Sequence, residues 1–211
     1  LNDTPPQEKK HAEDFIKANT KSVVSLSLIR KYFFANSSPD YDKALSLLSL
    51  LEKEQGKNPL FGKMKTWATD TRNSSVGKQL PTFTAYDLNG KMVSSADLSS
   101  APVAVIYTWA SYNYDSQELQ RELKRRQKKA NGRLKLMGFC LDASKYECKQ
   151  NIKRDSITSP TICNGEMMED KTLNKLGLKS LPNIILLQNG KIIARGMKKQ
   201  ELYNKLDELL K

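Results

Sequence analysis

The sequence is poor in the side chains that most often carry enzyme chemistry. Among 211 residues it has one histidine, His11, and three cysteines, Cys140, Cys148 and Cys163. No two cysteines are separated by two residues, so the CxxC pair of redox enzymes is absent. Their odd, sparse number argues against a disulfide framework, and a tetrahedral zinc site would need a fourth ligand that the distant His11 does not supply. We therefore expect no metal site and no cofactor.

Long apolar segments are also missing. No run approaches the roughly 18 to 20 apolar residues of a membrane span, and the opening "LNDTPPQEKKHAEDF" lacks the apolar core of a signal peptide. The chain starts at Leu1 rather than at methionine, so we expect the native start to be missing. With 38% hydrophobic and 27% charged residues, the composition is typical of a globular protein.

Positive charge is in excess, with a net charge of +12. The densest basic run is "RELKRRQKKANGRLK", residues 121–135. A basic run can bind a polyanion, but no nucleic-acid-binding motif and no interleaved aromatic residues accompany it. The same residues would complement the dipole at the C-terminal end of a predicted helix. We expect a solvent-facing helix and no nucleic-acid partner.

Residues 7–72 have the apolar spacing of helices. Apolar side chains recur every three or four positions, with turn signals at "NSSPD" and "GKNP". The pattern predicts three or four helices and no strand. In the third helix Ser38 is expected to be the N-cap, with Pro39 at the first helical position. The last segment is expected to pack Trp67 against its neighbours.

Strands and helices alternate after residue 76. Two hairpins are predicted at Asn89-Gly90 and Asn189-Gly190, since Asn-Gly is the strongest short hairpin signal. The β-branched run "PVAVIYTWA" predicts a buried strand, and a helix, a strand and further helices follow it. The order favours an α/β fold with a central mixed sheet of about five strands, flanked by helices. An all-α segment, residues 1–75, precedes this domain of residues 76–211.

Specific residues of this second domain resemble a known family. The stretches "VGKQLPTFTAYDLNGKMVSSADLSSAPVAVIYTWAS" and "LGLKSLPNIILLQNGKIIAR" are similar to the thioredoxin-like domains of the TlpA and ResA type, thiol-disulfide oxidoreductases grouped with the AhpC/TSA redoxins. Residues 7–72 look like the linker that precedes this domain in some bacterial cell-envelope lipoproteins. The resemblance implies a thioredoxin-like fold and a periplasmic or envelope location, with a lipid anchor on a missing N-terminal part.

The family's redox turn is altered in this sequence. In the family, W-A-S is followed by an aromatic residue and CxxC, whereas here Tyr112 is followed by Asn113-Tyr114-Asp115-Ser116. An amide is no nucleophile, and a serine hydroxyl without a base cannot replace a thiolate stabilised at a helix N-terminus. Asn113 is expected to be the N-cap of the next helix, with Asp115 and Glu118 as an alternative capping box.

The resemblance also places the family's cis-proline at Pro182. In the family the backbone before this proline pairs with extended peptides, a form of β-augmentation. Trp109, Tyr112, Tyr114, Leu181 and Pro182 are therefore the candidate binding residues. The alternative for Trp109 and Leu181 is that both simply belong to the core.

The cysteines have simpler interpretations than catalysis. Cys140 is expected in a core strand and Cys148 at the surface or partly buried. Cys163 lies in a loop-like stretch, where it is either structural or a thiol with redox function if its pKa is depressed.

Three functions remain open. The first is a thioredoxin-like module without catalysis that binds a protein or an extended peptide in the cell envelope. The second is a thiol-disulfide oxidoreductase or antioxidant that uses Cys163. The third is a structural domain that supports a missing N-terminal domain. We favour the first, with no catalytic residue assigned, because a fold does not establish an activity.

Overall fold

The computed structural model describes residues 5–34 and 39–211. The chain divides into two compact units, Leu1–Asn73 and Ser74–Lys211. The division falls two residues before the boundary expected from the sequence. No helix among the described residues is both long enough and apolar enough to cross a membrane.

The first unit is helical, as the apolar spacing predicted. Its helices are α1 (Pro6–Ala18), α2 (Val23–Ile29), which continues as a π-helical turn (Arg30–Phe34), α3 (Tyr41–Gln55) and α4 (Pro59–Asn73).

Buried apolar side chains from these helices form one core. Ile16, Ile29, Leu47 and Phe61 are among its members. Trp67 stacks on Phe34 with ring centroids 4.8 Å apart, so the expected packing of Trp67 is confirmed.

The start of α3 differs from the sequence prediction. The Asp40 side chain accepts a hydrogen bond from the Lys43 backbone N–H at 2.9 Å and is the N-cap. Pro39 precedes the helix and does not occupy its first position, so that prediction is wrong. The predicted N-cap Ser38 lies outside the described residues.

The second unit contains a mixed five-stranded sheet. A small hairpin of β1 (Thr84–Tyr86) and β2 (Met92–Ser94) precedes it. The sheet strands are β3 (Val103–Trp109), β4 (Leu134–Cys140), β5 (Thr161–Ile162), β6 (Ile184–Gln188) and β7 (Lys191–Arg195), in the spatial order β5-β4-β3-β6-β7. β3, β4 and β5 run parallel to one another. β6 is antiparallel to β3, and β7 is antiparallel to β6.

Helices cover both faces of this sheet. They are α5 (Ser95–Ser99), α6 (Tyr114–Lys129), α7 (Lys145–Arg154), α8 (Lys171–Lys175) and α9 (Lys199–Leu209), with a 3₁₀ turn at Met167–Glu169. Side chains alternate along β3, so Ala104 and Ile106 pack into one core and Val105 and Tyr107 into the other. α5 and α8 contribute to the first core, and α6, α7 and α9 to the second. The predicted α/β fold is therefore correct.

Both predicted hairpins are present. At the β6–β7 turn Asn189 and Gly190 have φ values of 50° and 77°, the pattern of a type I′ turn. A Cβ at Gly190 would also lie 3.0 Å from the Ser99 side chain. The edge strand β5 was not predicted, because two residues are too few to show an alternating pattern.

Candidate functional site

The candidate site lies where β3 ends and α6 begins. All seven residues of β3 are buried, and the turn of residues 110–113 leads into α6. β4 is parallel to β3 and ends beside it, with Trp109 paired to Cys140. Ligands of open α/β sheets bind at the carboxyl ends of parallel strands, so this edge is the expected position of a site.

Asn113 and Ser116, the two residues predicted at the altered turn, are linked by hydrogen bonds. Asn113 Oδ1 accepts a hydrogen bond from the Ser116 backbone N–H at 2.8 Å, which confirms Asn113 as the N-cap of α6. The Ser116 hydroxyl is buried, accepts from the Ala110 N–H at 3.1 Å and donates to the Asn113 carbonyl at 2.9 Å. Ser116 therefore acts as a structural tie, and neither residue has the chemistry of a nucleophile.

The alternative capping box is wrong. Asp115 and Glu118 both pair with the Lys199 ammonium group, at 3.0 and 2.5 Å. These two hydrogen bonds raise the pKa of Lys199 above its ordinary value, with that to Glu118 the larger cause. The carboxylates thus tie the start of α6 to α9 instead of capping α6.

The aromatic residues of the turn differ in exposure. Tyr112 and Tyr114 are 67% and 73% exposed, and the Arg121 guanidinium lies 5.8 Å from the Tyr114 ring. Trp109 is fully buried in the core on the α6 side of the sheet, so its predicted role in a binding groove is wrong. Gly138 leaves room for Tyr107 and Trp109, because a Cβ there would lie 3.0 Å from the Tyr107 hydroxyl oxygen and 3.3 Å from Trp109 Nε1.

The Leu181–Pro182 segment lies beside the same end of β3. Its peptide bond is cis, and Leu181 is half-buried against the core that includes Ile106. Among the residues that the structure describes, the Leu181 backbone N–H and carbonyl have no hydrogen-bond partner.

Thr108 holds this segment from both sides, a role that the sequence analysis missed. Its buried hydroxyl donates to the Ser180 carbonyl at 2.8 Å and accepts from the Asn183 N–H at 2.7 Å. The Thr108 N–H also donates to the Asn183 carbonyl at 2.9 Å. A polar residue inside the otherwise apolar run of β3 was the available signal.

The three cysteines meet in space. Cys140 ends β4, Cys148 lies in α7 and Cys163 follows β5, yet their Sγ atoms all lie within 4.8 Å of one another. All three are free thiols and buried. The expectation that Cys148 is at the surface or partly buried is wrong, because Cys148 and Ile152, four residues apart, face the same core.

The thiols interact strongly with one another. Hydrogen bonds from Cys140 and Cys148 lower the pKa of Cys163, and a Gly165 backbone N–H and Lys145 act in the same direction. The pKa of Cys140 is raised because its thiol bonds to Cys148 and Cys163, and burial adds to this effect. In its protonated form the Cys163 thiol can donate to the Asp142 carbonyl, 3.6 Å away. The cluster therefore favours one thiolate, at Cys163.

Asp142 links the cysteine cluster to the turn. Its Oδ1 atom accepts a hydrogen bond from the Ser111 N–H at 2.9 Å. The carboxylate is buried, and its Oδ2 atom has no hydrogen-bond partner within residues 5–34 and 39–211. Cys163 also lines a cavity of about 670 Å³, together with Lys145, Lys149 and Lys171.

Comparisons with known proteins agree with this fold. No family model matches the chain, and no curated protein matches it. A thiol-disulfide oxidoreductase of Bacteroides fragilis is 28% identical, with a TM-score of 0.56 over 63% of this chain and 99% of that one. The C-terminal domain of a protein described as a thiol-disulfide oxidoreductase of Bacteroides thetaiotaomicron is 26% identical, with a TM-score of 0.57 over 65% of this chain and 97% of that one.

A third structure extends the likeness over both units. A thioredoxin-like protein of Bacteroides caccae has a TM-score of 0.65 over 95% of this chain and 76% of that one, at 12% identity. The second unit thus has a thioredoxin-like fold, and the solved structures similar to it include thiol-disulfide oxidoreductases.

Proposed function

We propose that the thioredoxin-like domain is a non-catalytic module that binds an extended peptide or an unfolded protein segment. The observation that carries the proposal is the hydrogen-bonding of Asn113 and Ser116, which stabilises the turn without a thiol. The peptide-pairing backbone at Leu181 keeps its free N–H and carbonyl among the described residues. A turn without thiols beside an unpaired backbone segment supports binding rather than catalysis.

Exposed aromatic side chains support the same proposal. Tyr112 and Tyr114 lie at the start of α6, and most of each side chain is exposed. Tyrosine supplies a large contact area at low cost in side-chain entropy, which is why it is enriched at binding surfaces. In a peptide complex, the Leu181 backbone would supply main-chain hydrogen bonds and the two tyrosines apolar contact.

The location proposed for this activity is the bacterial cell envelope. It rests on the likeness to envelope thiol-disulfide oxidoreductases of the TlpA and ResA type. A lipid anchor on a preceding segment would be the link to the membrane. A purely structural role of the domain would require no ligand at the Leu181 surface, so a binding measurement separates the two possibilities.

The binding test uses the full chain and a fluorescent, reduced and carboxymethylated polypeptide, which stays unfolded and offers no thiol. Anisotropy should rise on titration with the protein. The double variant Tyr112→Ala/Tyr114→Ala should bind at least about tenfold more weakly, the loss expected for buried aromatic anchors.

Tyr146→Ala is the matched control. Tyr146 is 70% exposed on α7 and lies outside the turn, so its removal should leave affinity unchanged. Absence of binding, or equal losses in the control and the double variant, would contradict the proposal and favour a structural domain.

Redox activity at Cys163 is the competing proposal. Its lowered pKa favours it, but only 6% of Cys163 is exposed. Thiol-disulfide exchange needs direct attack of one sulfur on another, so a buried thiolate cannot reach a protein disulfide.

A further inference from the structure

The cysteine cluster has a geometry that neither the fold nor the altered turn requires. Cys140, Cys148 and Cys163 come from two strand ends and a helix, and the sequence separates them by 7 and 14 residues. Their side chains converge in a buried position, with every Sγ–Sγ separation at or below 4.8 Å. Three soft donors are therefore held together by rigid elements.

From this convergence we infer that Cys140, Cys148 and Cys163 form a three-thiolate binding site for a soft metal ion, with Cu(I) as the best-matched ion. A metal bound about 2.3 Å from each of three coplanar sulfurs places those sulfurs about 4 Å apart. A contraction of less than about 1 Å would therefore close the site around the ion.

The choice of Cu(I) follows from the donor set. Thiolates select soft ions such as Cu(I) and Zn(II). Structural Zn(II) is almost always four-coordinate, and within residues 5–34 and 39–211 no histidine or carboxylate joins the three sulfurs to make a fourth ligand. Cu(I) is stable with three sulfur ligands, so it matches both the softness and the number of donors.

The surroundings favour negative charge at one of the three sulfurs, that of Cys163. The Cys140 and Cys148 thiols, a Gly165 backbone N–H and the Lys145 charge all lower the pKa of Cys163. The cavity of about 670 Å³ that reaches Cys163 provides an entry path for the ion. Binding would displace the thiol protons of the remaining cysteines, and affinity would then rise with pH.

This site is separate from the proposed peptide surface. The cluster uses neither the exposed tyrosines nor the Leu181 backbone. Asp142 nevertheless connects the two regions through its bonds to Ser111 and Cys163. Failure of metal binding would leave the peptide-binding proposal intact, and the converse also holds.

The test titrates the fully reduced full chain with Cu(I) under anaerobic conditions, against a coloured Cu(I) chelator. We expect one Cu(I) per chain, an ultraviolet thiolate-to-copper charge-transfer band, and X-ray absorption showing three sulfur neighbours at about 2.3 Å. Apparent affinity should increase between pH 6 and pH 8. No competition with the chelator, or a copper ion with oxygen or nitrogen neighbours, would overturn the inference.

Variants locate the site. Cys148→Ala and Cys163→Ala should each lower the affinity for Cu(I) by at least about 100-fold, while Met167→Leu, which removes an exposed thioether, should not change it. Circular dichroism checks that each variant is folded. If the alanine variants unfold, the sulfur count in the wild-type chain still decides the question. If the chain kept bound Zn(II) when an equimolar amount of Cu(I) was added, the choice of Cu(I) as the ion would be overturned.

Discussion

Ser116 shows how a single residue can stabilise a turn without a thiol. Its hydroxyl is buried and bonded to the backbone on both sides of the turn, so it has no proton acceptor that could activate it. Asn113 supplies the side-chain acceptor that the helix start requires. The sequence predicted the N-cap role of Asn113 because capping depends on local spacing, whereas the hydrogen bonds of Ser116 were not predicted.

Two other residues could not be placed from the sequence. Trp109 and Cys148 are fully buried, but local spacing does not say whether the end of a strand or one face of a polar helix is covered. Packing against segments distant in sequence decides whether such a residue is buried. For Trp109, one such segment is β4, where Gly138 has no Cβ to crowd the indole ring. The convergence of the three cysteines is likewise a property of tertiary structure.

Thr108→Val is expected to destabilise the domain by about 1 to 3 kcal/mol, because the Ser180 carbonyl and the Asn183 N–H lose their partner in a buried position. It should also weaken peptide binding, since those bonds hold the Leu181 backbone. Urea unfolding and the anisotropy titration measure the two effects.

Thr161→Val is the matched control for this change. Thr161 is also buried, but in the described part of the chain its hydroxyl has no hydrogen-bond partner, so replacement should be nearly neutral or stabilising. Equal losses in the two valine variants would show that the bonds of Thr108 do not support the segment.

At the level of elements, local signals predicted most of the second unit. The Asn-Gly hairpins, the β-branched strand β3 and the amphipathic helices all carry their pattern within a few residues. β5 was missed because it depends on pairing with β4 at two positions. The start of α3 shifted by two residues because Asp40 provides the cap.

The short helix α5 depends on a capping box. Asp97 Oδ2 accepts from the Ser94 N–H at 2.6 Å and from the Ser94 hydroxyl at 2.9 Å. The same hydroxyl accepts from the Asp97 N–H at 3.4 Å. The bond from the Ser94 backbone, followed by that from its hydroxyl, holds the pKa of Asp97 below its ordinary value.

Asp97→Asn should therefore show a pH-dependent loss of stability. The folded-state pKa of Asp97 lies below the unfolded one, so the stabilisation is fully present above the unfolded pKa of about 3.9 and is lost as pH falls through the folded value. Urea unfolding of both proteins should show their largest difference near pH 7 and a shrinking one below about pH 4. A difference that stays constant from pH 7 to pH 3 would contradict this account.

At the scale of the whole molecule, the sequence predicted a helical unit followed by a thioredoxin-like domain, and the structure has both. The fold class followed from the order of strands and helices, because that order restricts the possible sheet topologies. Function does not follow in the same way. The neighbouring structures are thiol-disulfide oxidoreductases, whereas this chain has Asn113 and Ser116 in the turn.

Insulin reduction by dithiothreitol tests most directly whether the chain, with Asn113 and Ser116 in the turn, lacks thiol-disulfide oxidoreductase activity. The wild-type chain should add nothing to the uncatalysed rate, and Asn113→Cys/Ser116→Cys should form a disulfide under mild oxidation and accelerate the reduction. Wild-type turnover that disappears in Cys163→Ser would contradict the account, and a double variant that forms no disulfide would show that these two residues do not occupy the redox positions.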